Sequence, residues 1–307
     1  MTRYARSYRR IARNLSHLDL MAGSMDETFL VGERDLMDRD ADRRFLDFYG
    51  DRGLRLALEN YGIWQAIERR GYRNIELSTH ADDDRHTLVI WGEADGLPRT
   101  HLVELVVRRD RLVPQGELER AALDDGYDVL TVDWLTLRNP LGKFTPERPR
   151  LPGQDSPGLG VGERVVETLY RVVARLGLDA MMTVAEHFHN AVLYRREIEF
   201  FDPQYAGRCA ALEHTLMERE GLSLAAASWA IDWGLVRDAD APLTWRGEAQ
   251  VWAGEGRLRD WFGSKSYAQA MRESRQESRF TLDREAFDAR WAIEAPVLEG
   301  RVANKDS

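Results

Sequence analysis

The sequence of 307 residues has one cysteine, three lysines and no long apolar run. A single cysteine, Cys209, excludes an internal disulfide and is typical of the reducing cytosol, so we expect a cytoplasmic protein. No apolar stretch approaches about 18 residues, which predicts that no helix crosses a membrane. Residues 1–13 contain five arginines but no apolar core, so they are not a secretory signal. The preference for arginine over lysine is typical of GC-rich coding and fits a soluble protein of bacterial type.

The chain also lacks an excess of positive charge, because 52 acidic residues outnumber 43 lysines and arginines and the formal net charge is −9. This balance argues against general nucleic-acid binding, which depends on a cationic surface. The chain is 43% hydrophobic and has nine tryptophans, so it can bury a sizeable core and is not a disordered chain. Its length suits one large domain or two smaller ones.

A glycine-rich turn, Gly158–Gly162, precedes the most strongly patterned segment of the chain. Apolar residues then recur at three- and four-residue steps, which predicts a helix with one buried face over residues 163–176, ended by Gly177. A short strand, Ala180–Val184, and a second helical pattern, Glu186–Tyr194, follow. Because the N-terminus of a helix has free N–H groups and the positive end of the helix dipole, this turn is a candidate site for an anion such as a pyrophosphate.

This order of glycine turn, helix, strand and helix resembles the central motif of the GNAT acyltransferase superfamily. In that family, a strand leads into a glycine-rich turn and a helix that hold the pyrophosphate of acyl-CoA. Gly158 and Gly160 match the turn glycines, and Tyr194 matches a tyrosine that often protonates the departing thiolate. The chain departs from the family pattern at Asp155, where arginine or glutamine is usual, and at Glu199, which replaces a glycine. The resemblance covers roughly a third of the chain.

The resemblance implies a donor that is acyl-CoA, or acyl-phosphopantetheine on an acyl-carrier protein, and an acceptor that is an amine-bearing small molecule or peptide. It also implies direct attack of the amine on the thioester, without a covalent enzyme intermediate. In the family, the fourth strand splays from the next one so that the pantetheine arm can slot between them. The residues implied to hold the donor are Leu135, Leu137, Gly158, Leu159, Gly160, Val161, Gly162 and Glu163.

Two carboxylates are candidates for the general base. Asp133 lies on a predicted strand, Asp128–Arg138, and Glu104 is flanked by apolar residues. A desolvated carboxylate has a raised pKa, which suits a general base, although a solvated or salt-bridged Asp133 is the alternative. Tyr194 is the candidate acid, and its alternative role is a core tyrosine with its hydroxyl satisfied.

Two histidines at the start of the second helical pattern form a separate candidate site. Glu186 and His189 have the E-x-x-H spacing that puts both groups on one helix face, as in helical metal–carboxylate proteins. A second such pair is absent, so a metal-dependent enzyme using Glu186, His187 and His189 is an alternative hypothesis. We favour one histidine lining the substrate pocket, or both capping the strand-to-helix junction. A protein that binds acyl-CoA without catalysis is a further alternative.

Elsewhere the patterns predict further helices and strands, with no site motif in the C-terminal third. Residues 1–24 are predicted to form a basic helix with Ile11, Leu15, Leu18 and Leu20 on one side, more readily a docking arm than a membrane-surface helix. An acidic stretch, 26–51, is predicted to be anchored by Phe45, Leu46, Phe48 and Tyr49. The other predicted helices are 52–70, 115–125, 204–220 and 222–235, and residues 258–262, 267–279 and 285–293 are predicted to be helical or mixed. The other predicted strands are 74–79, 86–92 and 100–108, and residues 237–242 are predicted to be a linker-like turn.

Together these elements predict an α+β fold with a GNAT-like mixed central sheet flanked by helices and a mainly helical C-terminal extension. We expect an N-terminal arm (1–50), a GNAT-like acyltransferase domain (51–203) and a C-terminal cap (204–307). The expected partners are the acyl donor and the amine, with neither nucleic acid nor membrane nor metal, and a homodimer is left open.

Overall fold

The computed structural model describes residues 3–23, 44–195 and 197–302. Much of the predicted acidic stretch therefore lies outside the described residues. The helices are α1 (Ala5–Asn14), α2 (His17–Met21), α3 (Asp51–Asn60), α4 (Ile63–Glu68), α5 (Glu117–Ala122), α6 (Gly162–Leu176), α7 (Phe188–Tyr194), α8 (Pro203–Glu213), a π-helix (His214–Arg219), α9 (Leu224–Asp232), α10 (Arg257–Phe262), α11 (Lys265–Glu277) and α12 (Arg284–Leu298). The strands are β1 (Arg73–Asp82), β2 (Arg85–Ala94), β3 (Leu97–Leu112), β4 (Tyr127–Leu137), β5 (Ala180–Val184), β6 (Glu199–Phe200), β7 (Val236–Asp238), β8 (Ala241–Pro242), β9 (Ala249–Ala253) and β10 (Phe280–Leu282).

These elements make an α+β chain with a large mixed sheet, flanking helices and a helical C-terminal segment. None of the helices in the described part of the chain has the length and apolar character needed to span a membrane. The chain divides into two compact units, each assembled from separate segments. The first unit is Met1–Arg111, Asp128–Leu141 and Gly158–Met181, and the second is Leu112–Tyr127, Gly142–Pro157 and Met182–Ser307. The domain boundaries placed after residues 50 and 203 stay predictions.

The sheet of the first unit has the strand order β1-β2-β3-β4-β5. β1 pairs antiparallel with β2, and β2 pairs antiparallel with β3. The three strands predicted here are confirmed, and each is longer than predicted because two-residue turns let the ladders continue to their ends. The turns are Asp83-Asp84 and Asp95-Gly96, with positive φ at Asp83 (48°) and Gly96 (75°), as tight hairpins require.

The predicted single helix over residues 52–70 is wrong, because the structure breaks it into α3 and α4. Gly62 adopts a left-handed φ of +69°, which ends the first helix and precedes the second. Arg164 of α6 lies directly over this break and donates to the carbonyl of Tyr61 at 3.2 Å. A glycine inside a helical pattern is compatible with either outcome, so the contact with α6 decided it.

The N-terminal segment is docked on α6 of the same unit, as the docking-arm interpretation predicted. Tyr8 is buried and its hydroxyl donates to the carbonyl of Tyr61. The single predicted helix is instead α1 and α2, because Ser16 forms a capping box with Asp19 that starts a new helix. The apolar side predicted for this segment is also wrong in one position, since Leu18 is 84% exposed. The predicted anchors Phe45, Leu46 and Tyr49 are buried.

The second unit contains the short strands β9 and β6. β9 pairs antiparallel with β6 and lies in a segment for which no strand was predicted. A separate three-stranded sheet, β10-β7-β8, includes residues 237–242, so the predicted linker-like turn is wrong. The predicted strand Ala180–Val184 is confirmed as β5. The strands β7, β8 and β10 have only two or three residues, which is too few to show a period, and β9 pairs with the distant β6.

Candidate functional site

The glycine turn is joined directly to the end of β4 in the first unit. Gly158 forms an isolated antiparallel bridge with Arg138, and the N–H of Leu159 donates to the carbonyl of Leu137 at 3.3 Å. A Cβ built on Gly162 would lie 3.6 Å from Cδ1 of Leu137. The structure therefore brings together Leu137 and the turn glycines, which the sequence predicted to share a site.

A buried tyrosine, Tyr72, holds the residues that directly follow β4. The hydroxyl of Tyr72 donates to Oδ1 of Asn139 at 2.9 Å and accepts from the N–H of Leu141 at 3.2 Å. Both Tyr72 and Asn139 are buried. This bracing holds the strand end against which the turn is placed.

The start of α6 leaves a set of main-chain donors without protein acceptors. Gly160 has φ +77°, and Val161 follows with φ −108° and ψ 2°. A left-handed residue followed by a right-handed one turns successive N–H groups toward one side, which forms an anion-binding nest. Among the described residues, the N–H groups of Gly160, Val161, Gly162 and Glu163 donate to no protein acceptor. We name these four N–H groups the amide cradle.

A guanidinium stands beside the amide cradle. A Cβ built on Gly160 would lie 2.5 Å from Nη2 of Arg70, so the side chain of Arg70 passes over this glycine. Arg70 is exposed and forms no ion pair with any described residue. Arg70 is the last residue of the helix predicted over residues 52–70, and nothing in the local pattern links it to a glycine far along the chain.

The turn itself is open to solvent. Gly158 and Gly160 are exposed, while Leu159 and Val161 point into the core and are each 1% exposed. The side chain of Glu163 is held by Arg3, whose Nε lies 2.8 Å from Oε2 of Glu163. The N–H groups of the cradle are therefore not covered by the side chain that follows them.

The second half of β4 is less covered than the first. Residues 129–132 are buried, whereas Asp133 and Trp134 are exposed and residues 135–138 are half-buried. The side chain of Asp133 is only 24% exposed although the whole residue is exposed, so its main chain also contributes exposed surface. Leu135 and Leu137 thus lie on a strand end with solvent access, next to β5 in the sheet.

The two predicted bases have different surroundings. Asp133 accepts from Nε of Arg108 at 3.1 Å and lies 3.5 Å from Nε of Arg85, which corresponds to the salt-bridged alternative and not to the desolvated one. Glu104 is half-buried and pairs across the sheet with Val89, and its side chain makes no hydrogen bond or ion pair with any described residue. The alternation of β3 puts Glu104 and Arg108 on the sheet face opposite Val103 and Leu105.

The predicted histidines and Tyr194 lie in the second unit. The rings of His187 and His189 are stacked, with centroids 5.3 Å apart. His189 is 2% exposed, its Nδ1 has no hydrogen-bond partner among the described residues, and burial together with the charge of His187 lowers its pKa to about 4. Burial raises the pKa of Tyr194.

The predicted E-x-x-H helix face is wrong. α7 begins at Phe188, so Glu186 and His187 precede the helix and Glu186 is exposed. In the described parts of the chain, no group of three His, Cys, Asp or Glu side chains is placed to hold a metal ion. The helix starts late because the backbone at His187 is extended (φ −124°, ψ 153°) as the N-cap residue.

In comparisons with known proteins, no family model and no curated sequence matches this chain. The functional conclusion therefore depends on the geometry of the amide cradle and its surroundings.

Proposed function

We propose that this chain is a GNAT-like N-acyltransferase that moves an acyl group from acyl-CoA, or from an acyl-carrier protein, to an amine. The observation that carries the proposal is the amide cradle, with four main-chain N–H groups at the start of α6 and the guanidinium of Arg70 beside Gly160. Main-chain donors, the positive end of a helix dipole and a guanidinium together favour a diphosphate.

The second half of β4 is partly exposed, which supports binding of the pantetheine arm of the donor along this part of the strand. The bridge between Gly158 and Arg138 puts the cradle at the end of this strand. The pantetheine arm is an extended chain with amide groups, and such a chain can hydrogen-bond to strand backbone. A donor whose diphosphate binds at the cradle would therefore run its arm along Asp133–Leu137, toward the sheet.

The proposed transfer is a direct displacement. The nitrogen lone pair of the amine attacks the thioester carbonyl carbon, the C–S bond breaks, the thiolate takes a proton, and the amine loses one. Glu104 is the better of the two predicted bases, because Asp133 is engaged by Arg108 and Arg85. Tyr194 stays the predicted acid on the family resemblance alone.

Binding of coenzyme A tests the proposal, and the chain offers a matched pair of variants. Arg70→Glu reverses the charge beside the cradle, and Arg69→Glu makes the same change at the neighbouring exposed arginine. We expect Arg70→Glu to weaken CoA binding in calorimetry by tenfold or more, on the order of one lost charge-assisted contact, and Arg69→Glu to change it far less. Indifference of the wild-type protein to both CoA and acyl-carrier protein would overturn the proposal.

A second candidate is a protein that binds the acyl thioester without transferring it. The ion pairs of Asp133 favour this candidate, since they engage one of the two predicted bases. Incubation with acyl-CoA and a panel of amines separates the two functions. Release of free CoA together with an acylated amine, detected by mass spectrometry, supports the enzyme, whereas binding without release supports the second candidate.

A further inference from the structure

The first unit contains a second cationic site, which is far richer in arginine than the surface of an acidic chain would suggest. This pocket, which we name the arginine pocket, has a volume of about 380 Å³ and is lined by Arg9, Arg13, His17, Arg171 and Arg175, with two alanines between them. None of its lining residues is acidic, although the whole chain has a net charge of −9.

Contacts within the first unit hold two of the lining arginines, Arg171 and Arg175, in place. Arg175 donates to the carbonyls of Ala12 and Leu15, at 2.5 Å and 3.0 Å, so neutral groups at the end of α1 orient it. Arg171 pairs with the buried Glu167 at 3.0 Å. Arg13 is exposed and makes no ion pair with any described residue. Several like charges in one pocket repel each other, and a bound anion removes that cost.

An apolar cavity of about 70 Å³ adjoins the arginine pocket, since Arg171 and Arg175 line both. The rest of its wall is almost entirely aliphatic and aromatic, and includes Ala57, Leu58, Leu105 and Val165. A space of this size holds about five water-sized groups, and a cavity with such walls favours hydrocarbon over water.

We propose that these adjoining spaces form a binding site for an anionic amphiphile, with a carboxylate or phosphate head in the arginine pocket and a short aliphatic chain in the apolar cavity. Guanidinium groups bind both kinds of head. A chain of about five methylene groups fills the cavity. This site goes beyond the proposed acyl transfer, because it lies on the other part of α6 from the amide cradle and uses none of its residues.

Calorimetric titration with named probes tests both halves of the site. We expect hexanoate or hexyl phosphate to bind, and comparison of the two distinguishes a carboxylate from a phosphate ligand. In the series from acetate to hexanoate, affinity should rise by about fourfold per methylene and level off in longer chains. Hexanol and hexylammonium, which lack the negative head, should bind at least tenfold more weakly. Equal binding of hexanol and hexanoate, or of phosphate and hexyl phosphate, would overturn the proposal.

Charge reversal on α1 provides a matched pair of variants. Arg13→Glu places a carboxylate in the arginine pocket, whereas Arg10→Glu makes the same change on the same helix outside it. We expect Arg13→Glu to weaken hexanoate binding on the order of tenfold and Arg10→Glu to leave it within twofold. Equal effects of the two variants would show that the head does not bind in this pocket.

A cavity-filling variant tests, independently of charge, whether the aliphatic part of the ligand binds in the apolar cavity. Ala57→Leu places a larger side chain in the apolar cavity, and Ala66→Leu adds the same atoms on α4, away from the cavity wall. We expect Ala57→Leu to abolish the rise in binding affinity from acetate to hexanoate.

The two proposed sites can be tested separately. Arg70→Glu should leave hexanoate binding unchanged, and Arg13→Glu should leave CoA binding unchanged. Failure of this site and failure of the acyl-donor site therefore give different results.

Discussion

Nη2 of Arg70 lies where a side chain at residue 160 would begin, 2.5 Å from a Cβ built on Gly160. Gly160 also has φ +77°, a conformation that costs an L-residue with a side chain about 1–2 kcal/mol. We therefore expect Gly160→Ala to lower the free energy of unfolding by roughly that amount and to weaken CoA binding on the order of tenfold, because Arg70 must move.

Gly158→Ala is the control for this prediction. A Cβ on Gly158 would meet only the carbonyl oxygen of Leu137, at 3.8 Å, and its φ is not left-handed. Urea unfolding and CoA titration of the two variants give the comparison. Equal losses in both would show that the turn is sensitive to any added atom, and that the approach of Arg70 has no special importance.

Substitution of the two predicted bases, Glu104 and Asp133, should change different properties, the first kcat and the second stability. Glu104→Gln removes a carboxylate that has no partner among the described residues, so under the proposed function we expect kcat to fall about 10²–10⁴-fold with CoA binding retained. Asp133→Asn removes the partner of Arg108 and should act mainly through stability. Kinetics with a saturating acyl donor check this, and a loss of kcat in Asp133→Asn alone would reverse the assignment.

The stability of Asp133→Asn gives an independent prediction. Asp133 and Arg108 have side chains 24% and 25% exposed, and Arg108 keeps Asp110 as a second partner at 2.5 Å. We expect a loss of about 0.5–1 kcal/mol in low-salt urea unfolding, which is reduced by added salt. Asp95→Asn breaks the exposed pair with Arg73 and should show no measurable change. A larger loss for Asp95→Asn would contradict this ranking.

His189 makes the protein less stable in weak acid. Its pKa is lowered from 6.5 to about 4 in the folded state, so the unfolded chain binds a proton first as pH falls. The contribution of His189 to the free energy of unfolding is therefore present above pH 6.5 and is lost as pH falls toward 4. The loss between pH 7 and pH 5 is about 2 kcal/mol.

The variant His189→Gln cannot titrate and should lose most of this pH dependence in urea unfolding at the two pH values. His214→Gln, at an exposed histidine paired with Glu218, is the matched control and should retain it. An unchanged slope in His189→Gln would show that another group is responsible.

Cys209 should be inert in the folded protein. It is 3% exposed, and burial raises the pKa of its thiol to about 12, so almost no thiolate forms at neutral pH. We expect no reaction with a disulfide reagent until the protein unfolds, and full reaction of the single thiol in denaturant. Rapid reaction of the native protein would reopen a covalent route through Cys209.

The sequence by itself determined the local elements of this protein. The apolar period of residues 163–176 fixed α6 to within one residue, and Gly177 ended it with φ +67°. The predicted strands 74–79, 86–92 and 100–108 lie within β1, β2 and β3. These features are encoded by neighbouring residues, because helix period and turn conformation depend on the local backbone.

Only the tertiary structure decided what meets at each site. The approach of Arg70 to Gly160, the pairing of Asp133 with Arg108, and the arginine pocket between α1 and α6 join residues far apart in the chain. The sequence pattern also failed to predict that α7 begins at Phe188, which leaves Glu186 outside the helix, and it did not predict the short strand β9. Such contacts depend on packing that local propensity does not encode, so the site's elements were predictable and its chemistry was not.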